Sequence, residues 1–220
     1  VNDKISYSLR DPFRRRKDIE QSTTNKRLLV RSPVTASNKY EPTMMKNFWM
    51  GKGYRDEWST AINAPLLSLD EDDRQLTPYA IGGGLQTMSI KLRAKDGRKY
   101  AFRVLDKRPE RSLSELARES IYKDIVQELI TTMHPYGPLM ANALLDATDI
   151  IHIKPSLYIL DYSPMLKPRY QQFVGKLGML EEKPKGEKKN RKGFYDADKV
   201  VSTYEMLLKL KKSPNHILDK

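Results

Sequence analysis

The stretch that decides the fold is SIKLRAKDGRKYAFRVL, residues 89–105. Its two halves, SIKLRA and KYAFRVL, alternate between apolar and polar residues, which is the period of a strand with one buried face. Asp96 and Gly97 lie between them, and an Asp-Gly dipeptide favours the tight turn of a two-residue hairpin loop. The sequence therefore predicts an antiparallel hairpin here.

A long helix is predicted after this hairpin. Apolar residues recur at helical spacing along residues 113–132, and Ser112 with Glu115 forms the pattern of a capping box. We expect one continuous helix over this range. A second, shorter helix is predicted after Pro138, because proline is favoured in the first turn of a helix.

Further strands are predicted on both sides of the hairpin. The strand-like runs are INAPLLSL at 62–69, LTPYAIGGG at 76–84, IHIKP at 151–155, SLYILDY at 156–162 and QQFVGKLGMLEE at 171–182. Together these elements predict an α+β fold with an antiparallel sheet of about five strands, one long helix packed across it and peripheral helices.

Charge dominates the composition. The 220 residues include 40 Lys and Arg against 28 Asp and Glu, a net charge of +12, and only 39% of residues are hydrophobic. A surface of this kind attracts polyanions. The absence of cysteine excludes disulfides, thiol nucleophiles and thiolate metal sites. The sequence has no apolar run long enough for a membrane span, and its first residues lack the pattern of a signal peptide.

These patterns divide the chain into four segments. Residues 1–46 are predicted to be a basic extended arm or linker, because their apolar residues are too scattered to show a period. The following segments are the α+β domain at 47–184, a basic mobile loop at 185–193, and the helical start of a following lobe at 194–220.

The glycine run before the hairpin is the first candidate for a binding site. Consecutive glycines let backbone N–H groups approach a phosphate closely, although most such runs are flexible turns. This run lies between two predicted strands and precedes the hairpin and the long helix, which is the layout of a protein-kinase N-lobe. The residues assigned to this turn are Gly82, Gly83, Gly84, Gln86 and Thr87.

Arg103 and Glu119 are the second candidate. The run YAFR at 100–103 occupies the place of the kinase V-A-I-K strand, with Arg103 at the position of the phosphate-pairing Lys. Arginine also binds phosphate, and the helical spacing lets Glu119 face the sheet and pair with Arg103. An ordinary surface ion pair explains the same two residues equally well.

Other chemistries leave no pattern in the sequence. His134, His152 and His216 lie on different elements without the spacing of metal ligands, and no G-x-S-x-G serine motif occurs. The sequence therefore predicts no metal site and no catalytic residue.

Five separated motifs give residues 47–220 a family resemblance. In chain order they are WMGKGYRDEW, LTPYAIGGGLQT, FRVLDK, IVQELITTMHPYG and FVGKLGMLEEKP. Together they resemble a kinase-like module of uncharacterised Gram-negative bacterial envelope proteins that also carry a calcineurin-like phosphoesterase domain and an outer-membrane barrel of the surface-antigen type. FVGKLGMLEEKP is also similar to the strand and hinge of spore-coat-protein-H-type atypical kinases, which implies a position near the adenine for Glu182.

The resemblance implies a phosphate- or nucleotide-binding lobe of an atypical kinase-like envelope protein, periplasmic or associated with the outer membrane, whereas the sequence by itself leaves the compartment open, the cytoplasm included. ATP with magnesium is the implied weak ligand, and the remainder of a larger polypeptide or an envelope complex is the implied partner. The aspartate-rich catalytic segment of such kinases has no counterpart here, because Asp196, Asp198 and Asp219 lack its context. We therefore expect this chain alone not to transfer phosphate.

Two other functions stay open at the level of the sequence. One is a basic interaction module that binds an acidic partner, such as lipid headgroups, lipopolysaccharide or a protein face. The other is nucleic-acid binding, for which the net charge is the only support and which the resemblance disfavours.

Overall fold

The computed structural model describes residues 31–83, 86–186 and 193–212. Its seven strands are β1 (Arg31–Val34), β2 (Ile62–Leu67), β3 (Thr77–Gly82), β4 (Ser89–Arg93), β5 (Lys99–Val104), β6 (Ser156–Leu160) and β7 (Leu177–Glu182). Its six α-helices are α1 (Met44–Met50), α2 (Arg55–Ser59), α3 (Glu115–Arg118), α4 (Tyr122–Leu129), α5 (Gly137–Leu145) and α6 (Thr203–Lys212). Short 3-10 turns are Asn38–Tyr40, Pro109–Ser112, Ile130–Thr132, Pro168–Phe173 and Phe194–Asp196. The α+β class is confirmed.

The strands form one mixed sheet in the order β1-β2-β6-β7-β5-β4-β3. Neighbours pair antiparallel except β2 and β6, which run parallel with Leu66 opposite Ile159. The expected sheet of about five antiparallel strands corresponds to β3–β7 only, because β1 and β2 extend it and make it mixed. Parallel pairing joins strands that are far apart in the chain, so no local sequence pattern predicts the pairing of β2 with β6.

The predicted hairpin is confirmed as β4 and β5, with Ile90 opposite Phe102. The turn places Gly97 at a φ of +82°, in the left-handed region that glycine adopts at little cost. The Asp96 carboxylate accepts a hydrogen bond from the Arg98 backbone N–H at 2.9 Å. The Asp-Gly turn and the alternation of the two strands therefore both predicted the hairpin that the structure shows.

Strand β5 separates two cores, because successive side chains of a strand point to opposite faces. Tyr100, Phe102 and Val104 lie in the first core, whereas Ala101 and Arg103 belong to the other face. The first core also contains Leu67, Leu69, Leu76, Ile90, Leu92, Leu160, Tyr170, Phe173 and Leu180. The second contains Tyr40, Trp58, Ala64, Leu105, Ile130, Ile159, Leu177 and Met179.

Gly178 of β7 allows the Phe102 ring to lie against the neighbouring strand. A Cβ atom at position 178 would lie 2.5 Å from the Phe102 Cζ and 2.7 Å from the Arg103 carbonyl oxygen. The second atom belongs to the backbone and cannot swing aside. Close packing of β5 against β7 therefore requires glycine here.

The structured region begins before the predicted boundary at residue 47. Within the expected arm, β1 pairs with β2 and Tyr40 is fully buried, with its ring 5.2 Å from that of Trp58. These residues are ordered by the rest of the domain, because pairing and aromatic burial take place against distant segments. Residues 1–30 of the arm and 187–192 of the expected loop lie outside the described residues.

The long helix expected at 113–132 is wrong as a single element. The structure divides it into α3, α4 and a 3-10 turn, with Ser120 between the two helices. The Ser120 hydroxyl donates to the Ala117 carbonyl at 2.9 Å and accepts from the Tyr122 backbone N–H at 3.3 Å, and such bonds compete with the helical ladder. The predicted capping box is also wrong, since Ser114 is the N-cap residue and the Ser112 hydroxyl donates to the Pro109 carbonyl. The shorter helix after Pro138 is confirmed as α5.

A buried ion pair fixes α4 to the segment that follows β1. Arg55 of α2 is fully buried and its guanidinium donates to the Glu128 carboxylate on α4. Lys46 of α1 lies 3.0 Å from the same carboxylate. Burial by itself raises the pKa of Glu128, but hydrogen bonds from Arg55 and Lys46 outweigh it and lower this pKa. The carboxylate form is therefore the one that stabilises the folded chain.

We predict that Gly178→Ala lowers the free energy of unfolding by about 1–3 kcal/mol, because the added methyl group overpacks a junction that contains backbone atoms. Urea denaturation of the variant measures this loss. Gly137→Ala is the matched control: its Cβ would meet no atom within 4 Å, and we expect a change within about 0.5 kcal/mol. Equal stability of both variants would contradict the described contact between β5 and β7.

We predict that Glu128→Gln destabilises the fold by about 1–3 kcal/mol at neutral pH, because it removes a charge-assisted hydrogen bond to a buried guanidinium. In wild type this contribution is present above the ordinary carboxyl pKa and is lost as the pH falls through the lowered one. In thermal melts from pH 7 to pH 3, the difference in melting temperature between wild type and variant should therefore decrease as the pH falls. Glu205→Gln, in the exposed pairs with Lys199 and Lys209, should show neither effect.

Candidate functional site

The two ends of the glycine turn lie close to each other. Gly82 ends β3 and Gly83 follows with a φ of +152°, and a Cβ atom on Gly83 would lie 2.3 Å from the Thr87 carbonyl oxygen. The Gln86 carbonyl accepts a hydrogen bond of 2.7 Å from the Arg108 backbone N–H, which ties the turn to the segment after β5. Gly84 lies outside the described residues. The turn therefore lies at the end of the sheet where β5 leaves it.

Arg103 pairs with a neighbouring strand and not with the helix. Its Nε donates to the Glu181 carboxylate of β7 at 2.8 Å. Glu119 is exposed and has no ion pair among the described residues, so the predicted pairing of Arg103 with Glu119 is wrong. The break at Ser120 ends α3 before Glu119 can turn toward the sheet, whereas strand pairing places Glu181 next to Arg103.

Glu182 lies on the other face of the sheet from Arg103. It stands opposite Tyr100 in the register of β5 and β7, whereas Arg103 stands opposite Met179. The Glu182 carboxylate accepts from the Arg98 guanidinium at 3.4 Å. The structure therefore does not bring Glu182 together with the other predicted site residues.

Positive side chains converge on the face that carries Arg103. Lys91 stands opposite Ala101 in the register of β4 and β5, and the residues that share this face are Lys91, Arg93, Lys99 and Arg103, followed by Lys183 just after β7. Arg93 and Lys99 lie over the Tyr79 ring, at 5.2 Å and 5.7 Å from its centroid. We call this surface the basic face.

The cations of the basic face repel one another. The pKa of Lys183 is lowered by burial first and then by the charges of Lys91, Arg103, Lys185 and Lys99. A like charge disfavours the protonated amine, so the neighbouring cations lower the pKa of Lys183 in the same direction as burial does. An anion on the basic face would relieve that repulsion.

A small cleft opens beside Arg103, between the basic face and the segment that follows α4. Its volume is about 140 Å³, below the roughly 300–1,000 Å³ of pockets that enclose a whole small-molecule ligand. Its lining includes Trp58, Thr87, Arg103, Leu105, Lys107, His134, Pro135, Pro138, Met179 and Glu181. Two of the predicted site residues, Thr87 and Arg103, thus meet in one cleft.

A larger groove of about 600 Å³ lies at the other end of the β3–β4 hairpin. It is lined by Leu69, Asp70, Gln75, Thr77, Arg93, Ala94, Lys95 and Met165. The Asp70 carboxylate there already accepts a hydrogen bond from the Ser163 hydroxyl at 2.9 Å. No described residue of the glycine turn lines this groove, so the predicted site and this groove are separate.

Among residues 31–83, 86–186 and 193–212, no group of three or more His, Asp or Glu side chains is placed to hold a metal ion. Over the same ranges, no helix has the length and apolar character needed to cross a membrane. Comparison of the chain with models of protein families, with curated proteins and with solved structures finds no match.

The sequence analysis missed Lys91, Lys99, Lys107, Glu181 and Lys183 as site residues. A signal for two of them is present: Lys91 and Lys99 are the polar positions of the two alternating strands, which places them on one face of the hairpin. Glu181 and Lys183 become neighbours of Arg103 only through the pairing of β5 with β7. Their roles depend on a long-range contact that the local sequence does not encode.

Proposed function

We propose that this chain is a phosphate- or nucleotide-binding lobe of an atypical kinase-like protein, and that the basic face beside the glycine turn holds the phosphates. The observation that carries this proposal is the convergence of Lys91, Lys99, Arg103 and Lys183 on one face of the sheet. Polyphosphates are the small metabolites whose charge best matches such a cluster.

The order of elements supports the kinase-like part of the proposal. The glycine turn joins β3 and β4, Arg103 lies on the next strand β5, and helices follow before β6 and β7 complete the sheet. A kinase N-lobe likewise has a glycine-rich loop, then a strand with a phosphate-pairing Lys, then a helix. The chain differs from the kinase pattern in two ways. Arg103 replaces the lysine, and its carboxylate partner Glu181 lies on a strand, whereas the kinase partner is a glutamate on a helix.

Arg103 has the geometry to hold a phosphate while keeping its partner. Its Nε donates to Glu181, and among the described residues the terminal guanidinium nitrogens have no acceptor, which leaves them for a ligand. An arginine fork can donate two parallel hydrogen bonds to one phosphate, and the lysines around it add point charges. The proposal assigns binding to these residues and no transfer step.

An extended acidic partner, such as a lipopolysaccharide or lipid headgroup or an acidic protein face, is the second candidate function. The basic face is open, and the cleft beside it is too small to enclose a nucleotide. An open cationic surface suits a ligand that spreads over it. The family resemblance implies an envelope location for either function. Lipids and lipopolysaccharide, the acidic partners of the second candidate, occur in the envelope.

We predict that ATP with magnesium binds wild type saturably but weakly, at millimolar nucleotide, and that Arg103→Ala reduces the affinity at least about tenfold. The reason is that a hydrogen bond between charged groups contributes about 1.5–3 kcal/mol. Isothermal titration calorimetry at low and moderate salt measures both affinities. Arg111→Ala, at an exposed arginine of the 3-10 turn before α3, is the matched control and should bind like wild type.

Two results would overturn the phosphate site. One is the absence of saturable binding to wild type at millimolar ATP. The other is equal loss of binding in all three proteins as salt rises, which would favour a diffuse polyanion surface, since screening weakens exposed charges together. Circular dichroism of each variant separates loss of binding from loss of fold.

A further inference from the structure

Lys107 lines the cleft beside Arg103. Its side chain is half-buried, and its Nζ contacts the Met133 Sδ at 3.4 Å. Among the described residues, no carboxylate forms an ion pair with it. A thioether sulfur is a weak acceptor, so the ammonium group lacks the partner that buried charges normally have.

The same cleft supplies further groups that an oxyanion needs. Arg103 lines it with its terminal nitrogens free of Glu181, and Thr87 lines it beside the glycine turn. Burial lowers the pKa of Lys107, because a partly buried ammonium group loses hydration. Glu181 is the opposing charge in the cleft, but its hydrogen bond with the Arg103 Nε orients the guanidinium fork.

We propose that this cleft takes one terminal phosphate group of the ligand, held jointly by Lys107 and Arg103. The proposal rests on the phosphate-binding function of the basic face and names the ligand class for it: phosphate monoesters and polyphosphates, and not phosphate diesters. The remainder of the ligand lies outside, along Lys91 and Lys99.

The size and walls of the cleft give this selectivity. A volume of about 140 Å³ holds roughly four to five water molecules at about 30 Å³ each, which is enough for one phosphate group and not for a nucleoside. The walls formed by Trp58, Pro135 and Pro138 offer no side-chain acceptor. A diester carries a substituent on both sides of its phosphorus and cannot enter such a cleft phosphate-first.

The test compares AMP with 3′,5′-cyclic AMP, which carry the same base and sugar on a monoester and a diester, and uses tripolyphosphate as a ligand without a base. Calorimetry should show saturable binding of AMP and tripolyphosphate to wild type, and affinity for cyclic AMP at least about tenfold lower. Lys107→Met should reduce the affinity for AMP and tripolyphosphate at least about tenfold. Lys123→Met, at an exposed lysine of α4, is the matched control and should change it by less than about twofold.

A second measurement needs no variant. Amine acylation of wild type followed by peptide mass spectrometry gives the modification rate of each lysine with and without tripolyphosphate. Lys107 should be protected at least about fivefold more strongly than Lys123, because a bound phosphate covers the cleft and holds its ammonium protonated.

The failure of this proposal is distinguishable from that of the phosphate site. The cleft proposal is wrong if ATP binding requires Arg103 but Lys107 is neither protected nor required, or if cyclic AMP binds as tightly as AMP. Phosphate binding at the basic face would then still be supported. If wild type binds neither ATP nor tripolyphosphate saturably, both are wrong.

Discussion

The central constraint in this structure is the pairing of β5 with both β4 and β7. Residues 100–103 of this strand are matched on both edges: Tyr100 lies opposite Leu92 and Glu182, and Arg103 lies opposite Ser89 and Met179. Its backbone is thereby held on both sides, and the alternation of its side chains divides the domain into the Phe102 core and the Arg103 face. The contact of Phe102 with Gly178 sets how closely β7 approaches, and with it the position of Glu181 beside Arg103.

The sequence predicted the elements whose signals are local. The hairpin at Asp96 and Gly97 follows from alternation and turn chemistry, and α5 follows from Pro138 in its first turn. The joining of β1 and β2 to the sheet depends instead on contacts with residues near 160, which no short window contains. The break at Ser120 shows a second limit, since periodic apolar residues predicted one helix while a side-chain hydrogen bond divides it.

The candidate site divides in the same way. Arg103 and Thr87 could be identified from the layout of turn, strand and helix, and the structure places both in one cleft. Periodicity could not predict the positions of Glu119 and Glu182. Glu119 lies beyond the end of α3, and Glu182 lies on the opposite face of the sheet from Arg103. The clustering of positive charge could not be predicted from the sequence. Segments from separate parts of the chain place Lys91, Lys99 and Lys183 around Arg103, and the Glu181 carboxylate orients the Arg103 guanidinium.

The parallel junction of β2 with β6 has a consequence for how the chain is made. Synthesis proceeds from the N-terminus, so β1 and β2 leave the ribosome well before β6, with β3, the β4–β5 hairpin and the three helices α3–α5 synthesised in between. Until then the edge of β2 that β6 will occupy is without its partner, and exposed strand edges are the places where chains associate wrongly. Pro65 lies within β2, opposite Arg31, and its ring nitrogen carries no hydrogen to donate. Until β6 is synthesised, β2 is therefore a poorer template for pairing with another chain.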